Sequence, residues 1–210
     1  MSLYRLAKLA FAAALLGMVS AAAGSAAASG QNTAGQDFMV TGGPASQPIG
    51  HYDFCRRYWQ ECSVRSPSAA RVSLTPELWS ELVRVNASVN LAIAPATDEE
   101  VYGVPEFWAY PKTRGDCEDL VLLKRRELIE MGWPVGALLI TVVRQRNGDG
   151  HAVLTATTDS GDFILDSLQP VVMRWNETDY QYVKRQSQFD SGRWVAIDDA
   201  RTEMVGSVSP

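Results

Sequence analysis

The chain has little histidine, little cysteine, no surplus of basic charge and no internal repeat. Its 210 residues include two histidines and three cysteines. Formal charge is −5, with 19 basic against 24 acidic side chains. A nucleic-acid binder needs a basic footprint, and this balance does not supply one. Past residue 30 no segment is apolar enough to span a bilayer, which takes about 20 apolar residues. An imidazole base can come only from His51 or His151. The odd cysteine count leaves at least one thiol outside any intrachain disulfide.

What is present begins with an export signal. Met1 to Lys8 is short and carries Arg5 and Lys8. Leu9 to Val19 is an apolar run of signal-peptide length, and Ala21 to Ala28 offers Ala-x-Ala cleavage sites. The expectation is a signal peptide over 1–28 and a periplasmic or secreted protein with no stable membrane span after cleavage. The alternative is an uncleaved anchor, for which the run is short. Ser29 to Gly50, rich in Gly, Ser, Ala, Gln and Pro, reads as a flexible leader. The functional domain is expected over 51–199, with a tail over 200–210. That length is enough for one core.

Cys55 and Cys62 sit close together near the start of that domain. They can close a small disulfide loop, which an oxidising compartment permits. Cys117 is then a free thiol, either working or simply buried as a core residue. Around Cys55 and Cys62, His51 to Arg71 reads as ordered but irregular.

Thr75-Pro76-Glu77 is a helix start, with an N-cap, Pro at the first position and an acid. Leu78, Leu82, Val85 and Val89 follow at helical spacing, which predicts a helix to about Ile93. Asp98 to Thr113 reads as a loop. A second helix opens near Asp116, with Cys117, Leu120, Val121, Lys124 and Leu128 on one stripe and Gly132 as its stop. Strands follow at 138–143, 151–157 and 163–166, separated by Asn147-Gly148-Asp149-Gly150 and Asp159-Ser160-Gly161. Weaker strands are read at 181–185 and 194–197. Helices first and an antiparallel meander after them make the class α+β.

Chemistry gathers at Gly115-Asp116-Cys117-Glu118-Asp119. Asp116 is placed to cap the helix. Cys117 then lies in the first turn, where free backbone N–H groups and the helix dipole favour a thiolate. His151 opens a strand after a Gly-rich turn, and Asp166 closes the next strand of the hairpin. The register is open by about two residues, so a shared face is an expectation. Singly, each has a plainer reading: a core Cys, a surface His, a strand-ending Asp. Together they suit a nucleophile, its base and the group that orients the base. Three carboxylates beside Cys117 oppose its ionisation. Asp116, Glu118 and Asp119 are hard oxygen ligands that suit Ca²⁺, although three carboxylates do not fill its shell of six to eight oxygens. The alternative is that Asp116 and Asp119 merely favour the positive helix end while Glu118 faces solvent.

Here the sequence resembles the bacterial transglutaminase-like cysteine peptidases, LapG-like periplasmic proteases among them. The carrying residues are Trp108-Ala-Tyr-Pro111, Gly115-Asp-Cys-Glu-Asp119, Lys124, Gly132-Trp133-Pro134, His151-Ala-Val-Leu154 and Gly161-Asp-Phe-Ile-Leu-Asp166. The resemblance implies a papain/transglutaminase-like core, with a Cys-bearing helix packed on an antiparallel sheet carrying His and Asp. It implies Cys117 as nucleophile, His151 as base, Asp166 as orienter, and a Ca²⁺ held by Asp116, Glu118 and Asp119. It places Trp108 near the oxyanion site. The substrate it implies is a protein or peptide of the cell envelope. The Cys55–Cys62 segment is similar to short exported members. No Asn stands near Val135, where a further calcium ligand is expected. Two other functions use the same residues or fold: acyl transfer or amide hydrolysis through the same thioester, and a non-catalytic binding module.

Overall fold

Thr75 accepts a hydrogen bond from the Leu78 N–H and Pro76 follows it, so a helix begins where the sequence places one. A computed structural model describes residues 37–199. In chain order the elements are β1 (Thr41–Ala45), α1 (Ile49–Arg57), α2 (Trp59–Cys62), α3 (Pro76–Ala92), β2 (Ala94–Pro95), α4 (Asp98–Tyr102), β3 (Arg114–Gly115) and α5 (Cys117–Glu130). The strands β4 (Leu138–Arg144), β5 (Gly150–Thr158), β6 (Gly161–Leu165), β7 (Met173–Arg174), β8 (Gln181–Gln186) and β9 (Trp194–Ile197) complete the chain.

The main sheet runs β1-β9-β8-β4-β5-β6-β7, and every neighbouring pair in it is antiparallel. The chain therefore has the expected α+β architecture. α3 and α5 cover one face, where Leu82, Val85, Val89, Val121 and Leu128 meet Ile140, Leu154 and Leu165. The opposite face is closed by Met39, Val143, Val153, Ile164, Trp175, Tyr182 and Ile197. Both faces are covered, which is why β5 is buried along nearly its whole length rather than on alternate residues. α5 ends at Gly132, whose φ of 103° lies where a Cβ is disfavoured.

Three sequence expectations need correction. Residues 41–50 are not a flexible leader, because β1 pairs with β9 and α1 starts at Ile49. His51 to Arg71 is not irregular throughout, since its first part forms α1 and α2. Polar and aromatic side chains hid the helices there: α1 buries only Gly50, His51 and Phe54. The stretch 98–113 holds a helical turn, α4, fixed by a capping box between Thr97 and Glu100. The expected signal peptide over 1–28 and the tail over 200–210 lie outside the described residues.

Candidate active site

Gly115 ends β3, Asp116 is the N-cap, and Cys117 is the first residue of α5. β3 runs parallel to β2, and this small ribbon delivers the chain to the helix start. The Cβ of an alanine at 115 would meet Asp119 Oδ2 at 2.7 Å and Pro111 Cβ at 3.1 Å, so the approach needs glycine. Asp116 makes no side-chain cap, contrary to the sequence expectation.

The β5–β6 ladder pairs Leu154 with Leu165. Asp166 follows directly, so its side chain and that of His151 fall on one face as diagonal neighbours. His151 Nε2 and Asp166 Oδ1 are 2.7 Å apart, and both residues are buried. Asp166 also accepts from the Tyr180 hydroxyl at 2.5 Å and from the Leu168 N–H at 2.9 Å. Burial pushes the Asp166 carboxyl up, but the hydrogen bond and charge of His151, with Tyr180 and Leu168, hold it below the usual carboxylate range.

Cys117 and His151 line one cavity of about 460 Å³, together with Asn90, Ile93, Leu120 and Leu168. Cys117 is the free thiol. Its S–H donates to Glu118 Oε2 at 2.8 Å. Burial, then the charge and hydrogen bond of Glu118, push the thiol well above its ordinary pKa, against the Ala152 N–H. Cys55 and Cys62 are disulfide-bonded and join α1 to α2. The second histidine is a core group. His51 is 1% exposed, accepts from Trp194 Nε1 at 3.2 Å and packs against Trp108. Burial and then Arg125 lower its pKa to about 3, so it stays neutral.

The acidic cluster differs from the expected set. Asp119 turns away from the other two: its oxygens accept from the Ala109 N–H at 2.7 Å and the Tyr102 hydroxyl at 3.2 Å. Asp98, at the start of α4, takes its place. One oxygen each from Asp98, Asp116 and Glu118 lie within 4.8 Å of one another. Asp98 Oδ1 and Asp116 Oδ1 are buried without a hydrogen-bond partner. Burial first, then Glu118 and Asp98, raise Asp116 to about 8. Burial raises Asp119 to about 7 against its hydrogen bond from Ala109. Hard, crowded oxygens with unused lone pairs fit a cation such as Ca²⁺. No sequence signal ties Asp98 to Cys117; the capping box that fixes α4 is its only local mark. Trp108 is buried, and its indole N–H donates to Glu106 Oε1 at 2.7 Å.

A Cys-bearing helix start facing a His–Asp pair on an antiparallel sheet defines the class of papain/transglutaminase-like cysteine peptidases. The profile of the bacterial transglutaminase-like cysteine proteinases matches residues 41–202, and the chain belongs to that family. Among solved structures, calcium-bound Legionella pneumophila LapG is 26% identical with a TM-score of 0.46; the match covers 54% of this chain and 66% of that one. Two further structures of the same protein, one of them EGTA-treated, are 26% identical with a TM-score of 0.48, covering 59% of this chain and 72% of the other. No curated protein matches.

Proposed function

We propose that the chain is a thiol peptidase that cleaves a protein of the cell envelope, with Cys117 as nucleophile, His151 as base and Asp166 as the group that orients it. The observation that carries this is one cleft lined by both Cys117 and His151, with Asp166 bonded to His151 Nε2 at 2.7 Å. Because Nε2 is tied to Asp166, Nδ1 is the nitrogen that takes the thiol proton. The thiolate adds to the peptide carbonyl. Backbone N–H groups in the first turn of α5 receive the developing oxyanion. His151 returns its proton to the leaving amine as the C–N bond breaks. Water then attacks the thioester, releasing the acid and restoring the thiol.

Asp98, Asp116 and Glu118 would hold a Ca²⁺, whose contribution is to compensate negative charge beside the thiol. Export rests on the reading of residues 1–28. The test is incubation with envelope protein extracts, wild type against Cys117→Ala. New fragments with the wild type alone are expected; no fragments with either protein would overturn the reading. Cross-linked or amine-tagged products would point to acyl transfer instead.

A further inference from the structure

The apolar stripe by which α5 meets the core is broken by Lys124, which is 0% exposed. Its ammonium donates to Asn86 Oδ1 at 2.9 Å. Asn86, equally buried on α3, donates in turn to the Gln169 carbonyl at 3.2 Å. One turn further, Asn90 donates to the Asp166 carbonyl at 2.8 Å and the Gln169 carbonyl at 3.4 Å. Two asparagines and a lysine thus grip the segment 166–169 from behind. A Met of similar volume would fill the Lys124 site without the cost of desolvating an ion. The charge that acts on Lys124 is that of Asp166, which favours the ammonium.

We propose that Lys124 is a positioning residue for the Cys117–His151–Asp166 triad. Through Asn86 it holds the Asp166–Gln169 segment, and so sets the Asp166 carboxylate against His151 Nε2. An ionised Asp166 keeps the His151 proton on Nε2 and leaves Nδ1 free to accept one. The inference rests on the triad reading above.

The test uses ¹⁵N-histidine-labelled protein at pH 7, with iodoacetamide as the probe of Cys117. The chain has two histidines, and buried His51 serves as the internal control for the fold. In the wild type, His151 is expected as the Nε2–H tautomer. In Lys124→Met it is expected to become a mixture, with Cys117 alkylated at least about tenfold more slowly and the His51 signals unmoved. A wild-type tautomer and alkylation rate in Lys124→Met would reduce Lys124 to packing and overturn the proposal. Should Lys124→Met not fold, Asn86→Asp keeps an acceptor for the ammonium but removes the donor to the Gln169 carbonyl. The same two changes are then expected, and their absence overturns the proposal equally. His151→Ala separates the two ideas. If it leaves alkylation at the wild-type rate, the triad fails and this proposal fails with it. If it slows alkylation while Lys124→Met does not, only the role of Lys124 is lost.

Discussion

Lys124 is held at an energetic cost, and the cost has a pH signature. Burial lowers its pKa from 10.5 to about 7, with Asp166 pulling the other way. The unfolded chain therefore binds more protons than the folded one between those two values, and this group makes stability rise with pH across that window. Below it, the folded protein bears the whole cost of a buried ammonium. Lys124→Met is expected to melt higher than the wild type at pH 6, with the advantage shrinking toward pH 10. Melting temperatures across that range check it; an advantage independent of pH would show that the ammonium carries no such cost. Paired with slower alkylation of Cys117, that outcome would mark a residue kept for its hold on the Asp166–Gln169 segment rather than for stability. Cys117 and His151 show how much residue-scale reading was open from the start. Cys117 is the thiol left over once Cys55 and Cys62 pair. His151 sits at a strand opening, and the other histidine is enclosed by Trp108 and Trp194.

The start of α5 depends on a close approach. Gly115 lets the chain pass against Asp119 and Pro111 before Cys117 enters the helix. Gly115→Ala puts a methyl against the Asp119 carboxylate, whose other contacts are the Ala109 N–H and Tyr102. Forcing atoms into a packed site costs about 1–3 kcal/mol. The variant is expected to melt lower and to lose most of its iodoacetamide-reactive Cys117 signature at pH 7. Unchanged reactivity would show that the β3–α5 junction tolerates displacement. Helices and strands with strong periodicity or caps were legible in the sequence: α3 from Thr75-Pro76, α5 from its stripe, β4 from the apolar run that starts at Leu138. The elements that periodicity missed, β1, α1 and α4, are short or hide few apolar residues.

At the scale of the whole molecule, residues far apart in sequence make the acidic cluster. Asp98 comes from α4, while Asp116 and Glu118 belong to the start of α5. A ligand that binds only the folded chain stabilises it by mass action, about 2.7 kcal/mol at a hundredfold excess over Kd. Calcium is expected to raise the melting temperature of the wild type, EGTA to reverse the rise, and Asp98→Ala to abolish it. A full calcium response in Asp98→Ala would remove Asp98 from the ligand set. The variant tests Asp98 specifically, because the sequence alone pointed to Asp119 instead.

The sequence by itself determined the α+β class, the main helices and strands, and the residues able to do the chemistry. Hydrophobic period, caps and turn residues act locally, and a thiol or imidazole is named by its side chain alone. Tertiary structure alone decided which oxygens converge, that Asp119 is spent on Ala109 and Tyr102, and that His51 is core. It also tied Lys124 to the Gln169 carbonyl through Asn86. These are competitions among groups many residues apart for the same buried partners, and no local pattern in the chain records who wins them.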